Sequence, residues 1–368
     1  MAVLMQTEDG WIVDHYLYLK QIYESLKLCP VTWMFDVRTP YRMQGQAEKI
    51  AREMEERQEA AVNSSSPNPG EDSTSSRKYR RKVSKQKIVP QSSFTLDVIY
   101  KFSYIMKLAK SSGLFTLIPT IDDVRNNNVS AKNKSSTFLS AYEHKTPGVI
   151  YSENLSDANM ISKFPGAEIL VPPRCCFYNS DIADIGNLIE DVYDLVIIDP
   201  PWDNRFIRRV NGYQLTSDNQ LKRLPLNKFI KLSSIVVIWM TNSDKNYNLL
   251  TNELLPKWNL RYISSWAWMK VTKSGAPVSD FHKCKLPYEK LVIARHKDSL
   301  LDNIPTDLRV IVSVPSIIHS HKPPLLDVFK PYFSEKPKTL EIFARSLLPD
   351  TTSYGNQVTL LQNKDLFS

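Results

Sequence analysis

Glycine is scarce. Ten glycines stand against 23 prolines in 368 residues, so a fold resting on many glycine turns is excluded. Cysteine is equally sparse. Cys29, Cys175, Cys176 and Cys284 form no C-x-x-C pair of the zinc or redox kind. Adjacent Cys175 and Cys176 are poor mutual disulfide partners, because the bridge would be strained. A reducing compartment is the simpler expectation. No apolar run approaches the roughly 20 residues that span a bilayer. The segment from Met1 to Lys20 carries Glu8, Asp9 and Asp14 and lacks the apolar core of a signal peptide. The sequence therefore points to a soluble intracellular protein with no membrane partner. What is present is ordinary globular usage, 42% hydrophobic and 23% charged, which excludes a wholly disordered, collagen-like or coiled-coil chain. The charge balance is basic: 47 Lys and Arg against 39 Asp and Glu leave +8. Such a field favours polyanions, and seven Trp with 17 Tyr offer flat rings to stack on.

Residues 46–61, rich in Ala, Glu, Lys, Arg and Met, read as an exposed helix. From Asn63 to Ser76 the chain is mostly Ser, Pro, Asn, Thr, Gly and acid, a composition too polar to offset chain entropy by burial. A basic run follows in Arg77, Lys78, Arg80, Arg81, Lys82, Lys85 and Lys87. It suits a nuclear-import signal or a nucleic-acid arm, or a solvated linker. Ser92 or Ser93 is positioned to cap a helix in which Leu96, Ile99, Phe102, Met106 and Ala109 recur at helical spacing, with Gly113 as its stop. The polar stretch 126–136 reads as a loop.

Beyond about residue 165 short β-rich runs appear: 168–171, 195–198, 235–240, 262–268, 291–294, 310–314, 340–343 and 358–361. Several lack polar alternation, as strands covered on both faces do. Segments 246–255 and 325–333 are long enough for helices between them. Strands interleaved with helices predict a mostly parallel α/β sheet, whose ligands gather beyond the carboxyl ends of the strands.

The sharpest feature lies at one such end. The apolar run 193–198 passes directly into Asp199-Pro200-Pro201-Trp202. Two prolines end a strand and carry carbonyl acceptors without N–H donors. Asp199 adds a carboxylate acceptor and Trp202 a flat face. The set suits an exocyclic amine on a flat base, such as adenine N6, whose lone pair is delocalised into the ring. Asp199 and the Pro200 carbonyl would hold the two N–H bonds and aim the nitrogen at an electrophile, while Trp202 stacks on the base. Such a base must be single-stranded or flipped out of a duplex.

This signature resembles that of the N6-adenine methyltransferases related to the catalytic subunit of the mRNA adenosine methyltransferase. The likeness extends over residues 181–357, roughly half the chain. Ser180-Asp181-Ile182 is similar to the family's segment that holds the cofactor adenine. Asn211-Gly212-Tyr213 lies where the family has a mobile loop with a Tyr near the target base. Trp239-Met240-Thr241-Asn242 resembles its next strand end, Trp268-Met269-Lys270 its W-x-K, and Leu286-Pro287-Tyr288-Glu289 the segment whose Glu approaches the substrate. Ser320-His321-Lys322-Pro323 matches its S-H-K-P. Glu341-Ile342-Phe343-Ala344-Arg345 and Tyr354-Gly355-Asn356-Gln357 match its C-terminal cofactor segments.

The resemblance implies S-adenosylmethionine as methyl donor. It implies a Rossmann-like α/β methyltransferase fold with permuted motif order, in keeping with the absence of G-x-G-x-x-G before Asp199. Lys322 is then expected to engage the methionine carboxylate, with Arg345, Asn356 and Gln357 on ribose and adenine and Asp181 and Ile182 on the cofactor adenine. Where the best-known member has polar ribose contacts after this Arg, the chain has Ser346-Leu347-Leu348. Tyr213, Trp268, Lys270 and Glu289 are expected on the substrate side, with Arg208 and Arg209 on phosphates. Among the family's branches, the chain is most similar to that associated with N6-methylation of 2′-O-methyladenosine in U2 small nuclear RNA and with DNA adenine methylation. RNA is thus the expected partner, DNA the alternative, and the nucleus, with the cytoplasm beside it, the expected location. A non-catalytic RNA-binding scaffold of the same fold is the competing class, and the joint presence of the signature and cofactor residues favours catalysis over it.

The expected organisation is a partly helical N-terminal region over 1–62, a disordered basic linker over 63–90, a helical or irregular region over 91–160 that packs on the core, and the methyltransferase domain over 161–368. His282, Cys284, His319 and His321 do not make a closed tetrahedral set, so no metal is expected. If the basic linker serves import or RNA affinity alone, deleting residues 63–87 leaves turnover on a short oligonucleotide at saturating substrate nearly intact. A steady-state assay checks this, and a large fall in turnover would place the segment in the catalytic unit.

Overall fold

Alternation of side chains along extended backbone explains how this chain builds one wide sheet. The structure, a computed structural model, describes residues 2–63, 92–142, 151–164, 167–202, 218–282 and 286–368. The basic linker lies almost wholly outside them, as do Arg208, Arg209, Tyr213 and Cys284. The strands of the described residues are β1 (Val3–Thr7), β2 (Gly10–Val13), β3 (Tyr151–Asn154), β4 (Met160–Phe164), β5 (Ala167–Val171), β6 (Cys175–Tyr178) and β7 (Tyr193–Ile198). They continue with β8 (Ile230–Met240), β9 (Leu260–Lys270), β10 (Tyr288–His296), β11 (Val310–Ser313), β12 (Thr339–Ile342) and β13 (Thr351–Tyr354). Eleven of them form one sheet in the order β1-β2-β11-β9-β10-β8-β7-β12-β13-β6-β3, while β4 and β5 pair separately.

β7 sits at the turning point of this order. It pairs in parallel with β8 on one side and β12 on the other. The chain leaves it toward β8 and returns to β12, the arrangement that opens a ligand crevice at the carboxyl edge of an α/β sheet. β6, β9, β11, β13 and β2 point the same way as β7, through parallel pairs or a double reversal. Only β10 runs against its neighbours inside the sheet. Its first residues therefore lie at the same edge as the last residues of the others. That edge collects the ends of β7, β8, β9, β11, β12 and β13 and the start of β10.

Each face of β7 has its own core. Tyr193, Val196 and Ile198 join Ile238, Met240, Leu340 and Ile342 on one face. Leu195 and Ile197 join Val237, Trp239, Trp266, Trp268 and Leu291 on the other. Both faces are covered, which accounts for the unbroken apolar runs.

Several expectations are corrected. The N-terminal region supplies strands as well as helices, because β1 and β2 extend the main sheet through β11. The stretch 126–136, read as a loop, holds the first part of α5 (Val129–Tyr142), which follows α1 (His15–Tyr23), α2 (Gln44–Asn63), α3 (Ser93–Ser111) and α4 (Ile121–Asn126). Residues 358–361 form no strand; a 3-10 turn at Leu360–Gln362 lies there, and the strand is β13 just before it. The helix α3 begins at the expected cap, with Ser92 Oγ accepting from the Thr95 amide, but its inner face is turned. Val98, Phe102, Ile105, Met106 and Ala109 are buried against β2, β9 and β11, while Leu96 is 54% exposed. The two apolar series overlap at Phe102, Met106 and Ala109, so periodicity alone did not choose between them.

This geometry separates two substitutions on one helix. Ile105→Ala is expected to cost about 2–5 kcal/mol of stability, as buried aliphatic truncations do. Leu96→Ala is expected to stay within about 0.5 kcal/mol, as exposed positions do. Denaturant titration of both variants checks the assignment.

Candidate active site

Side-chain alternation carries the chemistry to one place. Residues 195 and 197 of β7 face the tryptophan side of the sheet, so Asp199, two further on, emerges above that side. Trp239 on β8 and Trp268 on β9 face it too, with their rings edge to face at 5.5 Å. Glu289 and Lys270 stand at the facing ends of β10 and β9, where Glu289 pairs in register with Trp268.

Above the two indoles runs a line of alternating charges. Lys270 Nζ donates to Glu289 Oε1. Lys322 Nζ donates to Glu289 Oε2 at 2.6 Å and lies 3.3 Å from Asp199 Oδ1. Lys270 sits 4.4 Å from the Trp268 ring centre, and Lys322 sits 5.0 Å from that of Trp239. The negative faces of the rings thus add to the hold on both cations.

The titration behaviour follows from these distances. Burial would raise the Glu289 carboxyl, but Lys270 and Lys322 outweigh it and hold the group ionised, well below the usual carboxylate range. Burial would likewise strip Lys322 of its proton, but Asp199 and Glu289 hold it protonated, well above the usual lysine value. Asp199 differs. Burial pushes its carboxyl above the ordinary value, Lys322 and Arg345 pull the other way, and Glu289 adds to the rise. Glu289 takes the closer share of Lys322, so Asp199 is the less compensated carboxylate and the better acceptor for a new donor.

Two loops close the site. After β12, Phe343 turns through φ 65° and Ala344 donates its N–H to Tyr354 O at 2.9 Å. A bulky residue at positive φ is strained backbone of the kind that collects at functional sites. Gly355 is required opposite, because a Cβ there would lie 2.6 Å from Ala344 O. The Gly355 amide reaches Tyr178 O at 3.1 Å, and the Tyr354 hydroxyl donates to Asp181 O at 2.6 Å. Asp181 and Ile182, 170 and more positions before Asn356 and Gln357, are brought beside them in this way. The Asp181 carboxylate accepts from the Ala183 amide at 2.9 Å. Arg345, buried, donates from Nη1 to His319 O at 2.7 Å and ties this loop to Ser320-His321-Lys322.

A cleft of about 470 Å³, open solvent included, lies between Asp199, Trp239, Lys322, Glu341, Phe343 and Arg345. Ser346 and Leu348 line it, while Leu347 is buried in the core beneath. Glu341, quoted in the sequence within a cofactor segment but given no role of its own there, lines this cleft. It faces Ile197 across β12 and β7, and its Oε2 is buried with no hydrogen-bond partner among the described residues. Burial and the Asp199 charge push its carboxyl up to about 8. A carboxylate inside an otherwise apolar strand was the available signal.

Not every expected residue has its expected face. Trp202 presents no open ring for stacking: it is 5% exposed, packs among Ile198, Ile238 and Met240, and donates its indole N–H to Trp239 O at 2.7 Å. Trp268 is likewise buried, with its N–H on Ser313 Oγ at 2.7 Å. Both build the floor of the site. The Pro200 carbonyl accepts from the Trp202 amide at 2.7 Å, which leaves one of its two lone pairs for another donor. Pro201 is half-buried between them. Among the described residues no group of His, Cys, Asp and Glu suits a metal ion.

The mostly parallel sheet, with its switch point at β7 and its charged carboxyl edge, is of the Rossmann-like α/β kind. Residues 193–357 match the MT-A70 family. The chain is 36% identical over 244 residues to the mouse N(6)-adenine-specific methyltransferase METTL4, covering 62% of this chain and 51% of that protein. This is the branch to which the sequence pointed. It is 34% identical over 214 residues to the Caenorhabditis elegans DNA N6-methyl methyltransferase, covering 57% of this chain and 58% of that protein. It is 33% identical over 183 residues to the Cryphonectria parasitica N6-methyladenosine RNA methyltransferase MTA1, covering 47% of this chain and 54% of that protein. The chain thus spans about half the length of the curated relatives it matches.

Glu341 gives a testable pH signature. Its folded pKa of about 8 exceeds its ordinary 4.5. Between those values the folded protein binds the proton that the unfolded chain has lost, so this group makes stability fall as pH rises and then level off above about 8. Glu341→Gln is expected to flatten that part of the profile and to gain on the parent protein at pH 9. Thermal melts of the ligand-free protein across pH 5–9 decide it.

Proposed function

We propose that the chain is an S-adenosylmethionine-dependent N6-adenine methyltransferase acting on nucleic acid. The observation that carries the reading is the under-compensated Asp199 carboxylate at the end of β7, beside a charge line and a cleft with unmatched polar atoms. The residues suit the donor. Lys322 would meet its carboxylate, and Asp199 offers negative charge to its cationic groups, with Glu341, protonated in the ligand-free protein, beside it. Gln357 Oε1, buried without a hydrogen-bond partner among the described residues, offers an acceptor to the nucleoside part, with Asn356 and Asp181 alongside. The donor, when bound, supplies an electrophilic methyl group on a sulfonium.

The protein's own residues supply orientation. Asp199 accepts one N–H of the adenine amine, and the free lone pair of Pro200 O accepts the other. The nitrogen is thereby drawn from conjugation and aimed along one line, and alignment of this kind accounts for much of such a rate. As the nitrogen gains positive charge, the carboxylate bond strengthens, which is stabilisation specific to the transition state. The raised proton affinity of Asp199 fits it to take the proton that the amine sheds. Trp202 fixes the Asp-Pro-Pro turn on Trp239 and so holds both acceptors in place. Glu289 keeps Lys322 and Lys270 charged at the substrate-side rim.

The target proposed is 2′-O-methyladenosine in U2 small nuclear RNA, a choice that rests on the resemblance of the sequence to the family branch associated with that target; the METTL4 likeness supports adenine N6 as the atom methylated. A nuclear location is proposed on the basic run from Arg77 to Lys87. The C. elegans relative, named for DNA, makes DNA the second substrate to test.

Purified protein is incubated with labelled donor and matched RNA oligonucleotides, with and without the 2′-O-methyl group, and DNA. Nucleoside mass spectrometry reads the product. N6-methylated adenosine is expected on RNA. Asp199→Ala is expected to lower the rate at least about a hundredfold, the usual scale for one preorganised electrostatic group, with circular dichroism unchanged. A near-parental rate from that variant would remove Asp199 from the mechanism.

A further inference from the structure

The loop that delivers Lys322 is built jointly with the N-terminal segment, far away in sequence. The Ile317 amide donates to Met34 O at 2.7 Å. Ile318 is buried with Leu19, Tyr23, Met34 and Phe35. Ser320 then turns through φ 58°, and the next residue, His321, is 4% exposed. Its ring lies edge to face on His15 at 4.3 Å, and Phe35 packs on both rings, at 4.9 Å from His15 and 5.8 Å from His321. His15 opens α1, is 3% exposed, and follows directly on Asp14, whose carboxylate caps that helix by accepting from the Leu17 amide at 2.9 Å. The Asp14 amide in turn donates to Ala2 O at 2.8 Å. The loop is thus clamped between two supports. Arg345 holds His319 O on the cleft side, and the His15–Phe35 pair holds the His321 ring on the other. Lys322 is the next residue out.

We propose that His15 is a positioning residue for Lys322, acting through the ring of His321, so that the N-terminal segment completes the donor side of the site. The proposal rests on the reading of Lys322 as the cation that meets the donor carboxylate. The strained Ser320 backbone makes such a clamp necessary. A non-glycine residue at positive φ relaxes when its surroundings stop over-determining it, and Lys322 would then swing away from Glu289 and Asp199. Burial, with Arg345 nearby, brings His321 down to about 3, and burial, with His321, brings His15 well below its ordinary value. The rings therefore pack as neutral aromatics and place no second charge beside Lys322. Ring shape is what the contact uses.

The test compares His15→Ala with His15→Phe in the full chain, with Tyr23→Phe as a control. Tyr23 belongs to the same N-terminal cluster and donates to Gln362 at 2.6 Å, away from His321. The first readout needs no donor. Brief labelling with acetic anhydride, followed by peptide mass spectrometry, measures how accessible the Lys322 amine is. His15→Ala is expected to label at Lys322 about tenfold faster than the parent, equivalent to about 1.4 kcal/mol of lost hold, while His15→Phe and Tyr23→Phe label at the parental rate. The second readout is calorimetric donor binding. Affinity is expected to drop about tenfold in His15→Ala and to return in His15→Phe, with kcat at saturating donor little changed. Unchanged labelling in a folded His15→Ala protein overturns the proposal. So does faster labelling that Tyr23→Phe reproduces at equal loss of melting temperature, since that is general loosening. If the parent protein binds no donor while Lys322 labelling still depends on the ring at position 15, the functional reading fails and the positioning stands.

Discussion

Lys322 shared unequally between two carboxylates is the interaction on which the site depends. It lies 2.6 Å from Glu289 and 3.3 Å from Asp199. The difference divides the labour of the two acids. Glu289, also bonded to Lys270, is neutralised and fixed as structure. Asp199 keeps unspent acceptor strength. Buried ion pairs stabilise little on balance because desolvation cancels much of their attraction. An alternating row of four charges on two indole faces is therefore better understood as an arrangement for binding than as a source of stability. Its cost is carried by the cores on both faces of the sheet.

The sheet makes this economical to build. One reversed strand, β10, brings its starting residues to an edge otherwise made of strand ends. Glu289 is consequently held on a strand paired with β9 rather than carried by a loop. The groups opposite it come from segments that the backbone must bend to deliver, at Ser320 and Phe343 with φ near 60°. An acid on a strand and a cation on a strained loop meet across the crevice. Sites held on regular elements are the more accurately placed.

Much of this could be read from the chain. The apolar runs that became β7, β8, β9, β10 and β12 declared a buried sheet, and Asp199 with its two prolines declared where a ligand edge would fall. Lys322, Glu289 and Lys270, each singled out in the sequence, meet in one charge line, and Arg345 is tied to the loop that carries Lys322. What escaped had physical causes. An indole in a signature offers both a flat face and a packing surface, and only its neighbours decide between them; at Trp202 and Trp268 packing prevails, each with its N–H bonded inside the protein. The strands β1, β2 and β13 are four or five residues long, too short for alternation to announce them. β2 and β13 moreover pair with strands far away in the chain, β11 and β6. The inner face of α3 was ambiguous because two overlapping apolar series share three residues.

That distant pairing has a consequence for how the protein is made. Gly10 of β2 pairs with Val310 of β11, three hundred positions later in the chain. At translation speeds of roughly 5–20 residues per second, the first strand waits about 15–60 s on the ribosome before its partner is synthesised. All four residues of β2, Gly10-Trp11-Ile12-Val13, are buried in the finished sheet. For that interval they form a short apolar ribbon with no sheet to join. The earlier strand of the pair is thus among the last to find its place, and the growing chain must shelter it until its partner arrives.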